Sequence, residues 1–351
     1  MKRQGECKLV PLAHTAVLKN YLDVSRQLDL NPYHLLSDAG IYSAQLNDSK
    51  QRISVDKVMT LLEQSAQISG CEVFGLHMAE QRQIADFGEL SLLLSYQQTL
   101  RDALKTIVRY RNIINNALEI YIEEVGKTVI IRVEVISASA KYSRQAIELA
   151  LGITHRFCAA LLAQKWHPLS IHFTHDSPKD LTVHQRVFGS SLEFGSEFNG
   201  IVCSSSELDK INPQANTAMA NHAQRYLDID ILQKDNESSL IFDIRKSIYL
   251  LLPMGRATID QVAQTHEVNV RTLQRRLEAA HTNFSELMND VRRNLVFRYL
   301  RNINYSLAQV SDILGYSMPS SFTRWFIGQF GITPNAWRTH NKAEIIDENT
   351  I

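Results

Sequence analysis

The order of hydrophobic and polar positions divides the chain into a first part of mixed periodicity and a last part of helical periodicity. Residues 55–70 and 99–114 place apolar side chains at helical spacing. Leu118, Ile120 and Ile122 then alternate with polar residues before a Gly-Lys turn and a second β-branched run, the pattern of a β-hairpin. The other predicted elements of this part are a long apolar helix and two strand regions, over residues 145–166, 168–176 and 191–205.

This order of elements predicts an α+β domain with a small antiparallel sheet, followed by an all-α domain. The polar segment 233–239 is the predicted linker, because only helical patterns follow it. We therefore predict domains over residues 1–232 and 240–340, and a tail over residues 341–351.

Composition narrows the class of protein only slightly. The chain has 351 residues, and its 44% hydrophobic content is enough for about two or three domains. Basic and acidic residues number 37 each, whereas residues 253–351 carry 11 basic and 9 acidic residues, a weak positive balance. The four cysteines show no CxxC or zinc spacing, which favours a reducing compartment. With no apolar run of roughly 20 residues, the expectation is a cytoplasmic protein without a membrane partner.

The all-α part contains an internal repeat. Thr258–Ala263 and Ser306–Ser311 lie 48 residues apart, and each begins with a hydroxyl residue followed three positions later by glutamine, the capping-box pattern. A short turn and a second helix follow in each copy. Asn269 is the predicted N-cap of one second helix, and Pro319 lies in the first turn of the other. A helix, a tight turn and an amphipathic helix form the helix-turn-helix design.

The second helix of each copy has an apolar and a polar face. Leu273 with Leu277, and Phe322 with Phe326, are i, i+4 pairs predicted to face the core. The outward residues form one triplet per copy: Arg271, Gln274 and Arg275, and Ser320, Thr323 and Arg324. Arginine and glutamine match the hydrogen-bonding edges of bases in the major groove. One such unit is equally typical of an ordinary helical hairpin, but two matched copies favour DNA binding. Arg276 lies off this face and is assigned to phosphate or solvent.

The segment between the two units, residues 284–302, also has helical periodicity and is long enough to hold them apart. It carries four arginines, Arg292, Arg293, Arg298 and Arg301. Two interpretations stay open at this stage: these arginines contact DNA phosphates, or they pair with Glu286 and Asp290.

In residues 259–302 and 306–338 the sequence resembles the AraC/XylS family of bacterial transcription regulators. The second stretch contains the Leu-Gly-Tyr, Ser-Phe and Trp-Arg elements of the family signature. The resemblance implies two helix-turn-helix motifs, joined by a helix, that enter successive major-groove segments of double-stranded DNA. The contacts to bases or backbone that it implies are those of Arg271, Thr272, Gln274, Arg275, Pro319, Ser320, Thr323 and Arg324.

Two positions depart from the family pattern. His281 stands where the family usually has glycine, and Ser311 where it usually has alanine. Both departures concern packing or turn geometry. Pro319 and Ser320 occupy positions that larger polar side chains can fill, so a second interpretation of this motif is that it contacts phosphates more than bases.

Residues 20–210 resemble, more weakly, the arabinose-binding-type N-terminal domain of the subgroup that includes ornithine-utilisation regulators. The resemblance implies an effector-binding and dimerisation domain, hence a small-molecule effector and a homodimer. RNA polymerase is a further candidate partner. The resemblance does not identify the ligand. Six residues are candidates to line the effector pocket, although core aromatic or solvated arginine is the favoured interpretation of each: Tyr96, Arg109, Tyr110, Arg111, Tyr121 and His155.

No catalytic site, metal site or cofactor is predicted. Val125–Thr128 resembles part of a phosphate-binding loop, but Tyr121 occupies the position of the earlier glycine and the stretch lies in a hairpin. His172 and His175 would point to opposite faces of a strand, which disfavours a metal site. The chain lacks the GxSxG and HExxH patterns.

The sequence thus predicts an effector-controlled, sequence-specific DNA-binding regulator that is not an enzyme. An effector-independent regulator whose N-terminal domain mediates protein–protein contact is the alternative. An enzyme fused to a DNA-binding tail is a third, more remote interpretation.

Overall fold

The computed structural model describes residues 11–48, 51–137, 142–189, 191–233 and 240–340. The chain divides into two compact units, Met1–Glu237 and Ser238–Ile351. Of the predicted linker, Gln233 ends a helix, and the other six residues lie outside the described residues, as does the predicted tail. Within the described ranges no helix is both long and apolar enough to cross a membrane.

The first unit combines short strands with helices, as predicted. Its described strands are β1 (Leu12–His14), β2 (Arg52–Ser54), β3 (Leu118–Val125), β4 (Thr128–Val135), β5 (Ser170–His172), β6 (Ser191–Glu193) and β7 (Gly200–Ser204). Its described α-helices are α1 (Tyr21–Gln27), α2 (Pro32–Asp38), α3 (Val55–Ser69), α4 (Phe74–Glu80), α5 (Leu90–Ser95), α6 (Leu100–Ile114), α7 (Arg144–Leu161), α8 (Thr182–Phe188), α9 (Ser205–Leu208) and α10 (Thr217–Gln233). Short 3-10 helices cover Thr15–Leu18, Ser43–Asn47 and Ile84–Phe87.

Five strands form one small sheet in the order β3-β4-β7-β5-β6. All neighbours are antiparallel except β5 and β6, which run parallel. The predicted hairpin is present: Val125 pairs with Thr128 across a two-residue turn, and Gly126 has the positive φ of 62° that such a turn requires. The VGKT stretch is therefore this turn. A separate ladder of β1 and β2 was not predicted, because three-residue strands show no alternation.

Helix α7 packs between two hydrophobic cores. Ile147 and Leu151 belong to the core that includes the five-stranded sheet and α6. Ala146 and Leu149 belong to a second core, which is built from β1, β2 and helices α1 to α4. A helix that is buried on both sides must be apolar around most of its circumference, as its sequence is.

Glu148, on α7, is completely buried and is surrounded by basic groups. Arg144 Nε donates to its Oε1 at 3.0 Å, His184 Nε2 lies 3.1 Å from the same oxygen and His175 Nε2 lies 3.3 Å from it. Burial lowers the pKa of His175 to about 4, so that imidazole is neutral at pH 7. His172, at the end of β5, instead contacts the hydroxyl groups of two serines. Among the residues described, no group of three histidine, cysteine or acidic side chains is arranged to hold a metal.

Helices joined by short turns make up residues 240–340 of the second unit, and no strand is described there. Its helices are α11 (Leu240–Leu251), α12 (Ile259–Thr265), α13 (Val270–Ala279), α14 (Phe284–Arg301), α15 (Leu307–Ile313) and α16 (Pro319–Phe330), followed by a helical stretch over residues 334–340. Helix α12 packs on α13, and α15 packs on α16, so each copy of the repeat is a helix-turn-helix unit. The predicted capping box is complete at Ser306, whereas Thr258 only accepts from the backbone of Gln261.

The tight turns of the two units have the same hydrogen bonding. The backbone N–H of Val268 donates to the carbonyl of Ala263 at 3.0 Å, and the N–H of Tyr316 donates to Ser311 at 3.0 Å. Both turns need a residue in the left-handed region, as helix C-termini commonly do. This residue is Gly315 in the second unit, with φ 70°, and Glu267 in the first, with φ 54°.

The two departures from the family pattern also have local explanations. His281 follows the end of α13 with φ 57°, a conformation that glycine adopts without strain. Ser311 is fully buried, and its Oγ has no hydrogen-bond partner among the described residues. An unsatisfied buried hydroxyl costs free energy that alanine would avoid, which is a physical reason for alanine at this position.

Replacing Glu267 by glycine is expected to stabilise the second unit. Relief of left-handed strain contributes about 1–2 kcal/mol, and the greater freedom of glycine in the unfolded chain offsets about half of it. We expect a net increase of about 0.5–1 kcal/mol in the free energy of unfolding, measured by denaturant titration of the full chain.

Gly315→Ala is the matched substitution in the other turn and is expected to act in the opposite direction. A Cβ at Gly315 would lie 2.9 Å from Leu252 Cδ1, in addition to the strain of φ 70°. A loss of stability for Glu267→Gly, or none for Gly315→Ala, would contradict the equivalence of the two turns.

Candidate nucleic-acid interface

Helix α13 is oriented by its cap and its buried leucines. The Asn269 side chain accepts a hydrogen bond from the backbone N–H of Thr272 at 2.8 Å, which confirms the predicted N-cap. Leu273 and Leu277 are buried, at 0% and 1% exposure, as predicted. Because side chains four positions apart lie on one face, burying this pair turns the opposite face of α13 to solvent.

The residues predicted to read DNA on α13 occupy that outward face. Arg271, Gln274 and Arg275 are exposed, and Thr272 is half-buried beside the cap. Neither Arg271 nor Arg275 forms a hydrogen bond or an ion pair with a described residue. Their guanidinium groups are therefore available to an external acceptor. Arg276 is exposed as well.

Helix α16 has a smaller exposed polar face than α13, and its buried face is more aromatic. Pro319 occupies the first helical turn, as predicted, and Phe322 and Phe326 are fully buried. Phe297 of α14 packs edge to face on Phe330, with ring centroids 4.8 Å apart. These aromatic contacts fix α16 on α14.

The predicted reading residues of α16 are arranged around a single arginine. Pro319, Ser320 and Arg324 are exposed, and Thr323 is half-buried. Arg324 has no polar partner among the described residues. This face offers one guanidinium group and two hydroxyl groups, against two guanidinium groups and an amide on α13.

Most arginines of α14 are engaged within the unit. Arg293 pairs with Asp290, which also accepts from Arg245 at 3.1 Å, and Arg298 donates to the Tyr249 hydroxyl at 3.2 Å. Of the pairings with Glu286 and Asp290 that the sequence left open, Arg293–Asp290 is present, whereas Arg298 binds a different internal partner. Arg301 differs because it is exposed and has no polar partner in the described part of the chain.

Arg292 has a role that the sequence did not reveal. Its Nε donates to the carbonyl of Leu314 at 2.9 Å, and one terminal nitrogen donates to the carbonyl of Gly315 at 3.2 Å. The guanidinium also stacks 4.0 Å from the centroid of the Tyr316 ring. Arg292 thus holds the turn of the second helix-turn-helix unit against α14. The Leu-Gly-Tyr element marks the turn in the sequence, but nothing local indicates that its partner is Arg292, 22 positions earlier in the chain.

Comparisons with known proteins assign both units. Residues 30–211 match the arabinose-binding domain of AraC transcription regulators, N-terminal, and residues 262–340 match a helix-turn-helix domain. The chain is 25% identical over 335 residues to the HTH-type transcriptional regulator VirS of Mycobacterium tuberculosis, covering 95% of this chain and 98% of that protein. It is 22% identical over 333 residues to the ornithine utilization regulator of Pseudomonas aeruginosa, covering 94% and 96%.

Among solved structures, the transcriptional regulator CdpR of Pseudomonas aeruginosa is 20% identical, with a TM-score of 0.43 over 97% of this chain and 100% of that chain. The arabinose-binding-domain match alone spans more than half of the present sequence. Together with two helix-turn-helix units and their exposed polar faces, this match identifies the chain as a member of the AraC family of transcription regulators, with a DNA-binding helix-turn-helix domain.

Proposed function

We propose that this regulator binds a specific double-stranded DNA sequence through α13 and α16, under the control of a small-molecule effector bound by the first unit. The observation that carries the DNA-binding part is the contrast between two sets of arginines. Arg292, Arg293 and Arg298 are engaged within the fold, whereas Arg271, Arg275 and Arg324 are exposed without a described partner. An arginine that is free of internal partners can donate two hydrogen bonds to guanine.

The two helices divide the reading unequally in this proposal. Helix α13 reads bases with Arg271, Gln274 and Arg275, and Thr272, in the first turn of the helix, contacts the DNA backbone. Helix α16 uses Arg324 for a base, while Ser320 and Thr323 contact phosphate and Pro319 sets the helix start. Short hydroxyl side chains and helix N-termini are common phosphate donors, which supports this division.

Arg275→Ala is expected to weaken binding to the specific site by about 1–3 kcal/mol and to relax selectivity at one base position. Arg324→Ala is expected to do the same in the other half of the site. Arg276→Ala is the control for selectivity on the same helix: its side chain lies off the reading face, so any loss should be equal on specific and random duplexes. Affinities for specific and random duplexes, at one salt concentration, are compared by fluorescence anisotropy. Equal weakening on both duplexes would show that the substituted arginine contacts only phosphate.

Substitutions at Arg292 and Arg301 are expected to have different effects, the first on stability and the second on phosphate contact. Arg292→Ala removes two charge-assisted hydrogen bonds and should lower the free energy of unfolding by about 2 kcal/mol. Arg301→Ala should leave stability within about 0.5 kcal/mol and reduce the salt dependence of DNA binding by about one phosphate contact. Denaturant titration and binding at several salt concentrations provide the two measurements. The assignment fails if Arg301→Ala leaves the salt dependence unchanged.

Effector control is the second part of the proposal, and its support is the arabinose-binding-type domain together with the cavities of the first unit. We expect an effector to change the affinity for DNA about 5- to 150-fold, the usual range of coupling between two sites. The test uses sites obtained by genome-wide mapping, and it measures full-chain DNA affinity with and without compounds related to neighbouring genes. If no compound changes affinity while the protein still regulates transcription, the effector-independent alternative, with protein–protein contact through the first unit, is favoured.

Assembly and output complete the proposal. A homodimer would place two copies of the second unit on one operator, and contact with RNA polymerase would convert DNA binding into a change in transcription. The support for this part is general: the relatives that match over almost the whole chain are transcription regulators, and such contacts would serve that function.

A further inference from the structure

The first unit contains two adjoining cavities that differ in polarity. The smaller, about 120 Å³, lies between the two hydrophobic cores and is lined mainly by aliphatic side chains. The larger, about 280 Å³, is lined by a mixture of polar and apolar groups. Four residues line both cavities: Arg82, Gln83, Phe87 and Ile153. Of the six candidate pocket residues named from the sequence, only His155 lines either of them.

Arg82 is a buried cation at the junction of these cavities. It is 7% exposed, and its two terminal nitrogens donate to the backbone carbonyls of Ala16 and Val17. No hydrogen bond from its Nε to a described residue is formed, and no described carboxylate forms an ion pair with it. Burial lowers the pKa of Arg82 to about 10, so the guanidinium remains charged at pH 7. A buried charge without a counter-ion is costly, and an anion beside it would offset that cost.

The neighbouring charged groups compensate Arg82 only in part: burial lowers the pKa of Arg82 and the charge of Asp86 raises it by less, but the two side chains form no ion pair. Asp86 lines the smaller cavity, but it pairs with Lys19 and accepts from the backbone N–H of Gln83 at 2.9 Å. Arg186 lines the larger cavity and is paired with Glu80. The space next to Arg82 is therefore positive in balance.

His155 adds a second unsatisfied polar group to the larger cavity. The side chain is 8% exposed, and its Nδ1 has no hydrogen-bond partner among the described residues. Burial lowers the pKa of His155 to about 4, which keeps the imidazole neutral. A neutral imidazole can donate to, or accept from, a polar atom of a ligand without adding charge.

The smaller cavity limits the size of an apolar group. Ile107, Ile120, Leu149 and Val58 are among the side chains that line it. An apolar protein cavity of about 150 Å³ takes up a molecule of the size of benzene. A cavity of about 120 Å³ therefore fits a small ring or a short branched chain, and it excludes a long extended chain unless the side chains move.

We infer that these two cavities form the effector site, and that it takes a compact monocarboxylate whose apolar body fills the smaller cavity and whose carboxylate is bound by Arg82. After its two backbone hydrogen bonds, Arg82 keeps its Nε–H and two terminal N–H groups, and a guanidinium group can bind both oxygens of a carboxylate through two parallel donors. A polar substituent on the ligand would extend toward His155. This inference rests on the proposed effector control and specifies its site and ligand class.

The test compares three small probes on the full chain by thermal unfolding and isothermal titration. Benzoate has both the ring and the carboxylate, benzamide keeps the shape without the charge, and acetate keeps the charge without the ring. We expect benzoate to bind and to raise the unfolding temperature with concentration, because a ligand of the folded state stabilises it. Benzamide and acetate should bind at least about tenfold more weakly.

Two variants locate the site. Arg82→Gln should weaken benzoate binding about 10- to 100-fold, whereas Arg26→Gln, the same substitution on an exposed arginine of α1, should have no effect. Arg82→Gln also removes two hydrogen bonds to backbone carbonyls and could disturb the fold, so a variant that leaves Arg82 intact is needed. Ala150→Leu fills the smaller cavity from α7 and should also abolish binding.

Several results would overturn the inference. Equal binding of benzoate and benzamide would remove the role of charge, and equal binding of acetate would leave an adventitious ion only. Unchanged benzoate binding by Ala150→Leu would place the ligand elsewhere. No binding of benzoate at millimolar concentration would exclude the ligand class. If another compound still changes DNA affinity, effector control stands without this site; if benzoate binds through Arg82 and DNA affinity never changes, the site stands without effector control.

Discussion

The DNA-binding unit depends on the burial of one face of α14. Val291 and Leu295 are fully buried, and Tyr299 is nearly so. Helices α11 and α15 both pack on α14. Helix α11 also contacts α12, the first helix of the first helix-turn-helix unit, and α15 is itself the first helix of the second. Because packed side chains permit only small shifts, one continuous helix fixes both units in a single arrangement. In the proposed function, α13 and α16 gain specificity from being held in this way, because each carries only a few residues that would contact bases.

Helices α13 and α16 were predictable because their signals are local. A cap such as Asn269 and a pair such as Leu273 and Leu277 determine, within ten residues, where α13 begins and which face it buries. The β3–β4 hairpin was predictable for the same reason, since its alternation and its turn glycine adjoin each other. In both cases the information that decides the structure lies within one element or its immediate neighbours. The assignment of individual contacts to DNA remains a prediction.

Features that depend on distant parts of the chain were not predictable. The clamp of Arg292 on the Leu314 turn and the pairing of β1 with β2 join segments that carry no local sign of each other. The cavities are a stronger case, because their walls come from β1, α3, α6, α7 and the 3-10 helix at Ile84–Phe87. Tyr110 was a pocket candidate with a core aromatic as the favoured interpretation, and it is buried, with its hydroxyl donating to Asp228 at 2.6 Å. The type of a residue shows which ligands its side chain could bind, but only the tertiary structure determines whether that side chain lines a cavity.

The second unit has exposed arginines without an ion-pair partner in the described part of the chain, whereas Arg82 of the first unit is buried. This difference fits the different functions proposed for the two units. Arg271, Arg275 and Arg324 are exposed, so water solvates their charge and the free protein loses little stability by keeping them unpaired. Arg82 is buried without an ion-pair partner among the described residues, so the free protein keeps it at a cost that a bound anion would reduce. An exposed arginine without a partner lowers the free energy of unfolding very little. A buried arginine without a partner makes the stability of its domain sensitive to a ligand. Such a ligand can alter DNA binding only as far as its affinity differs between the binding-competent and incompetent states. A site that spans two cores is well suited to that requirement, because a change in how the cores pack also changes the site.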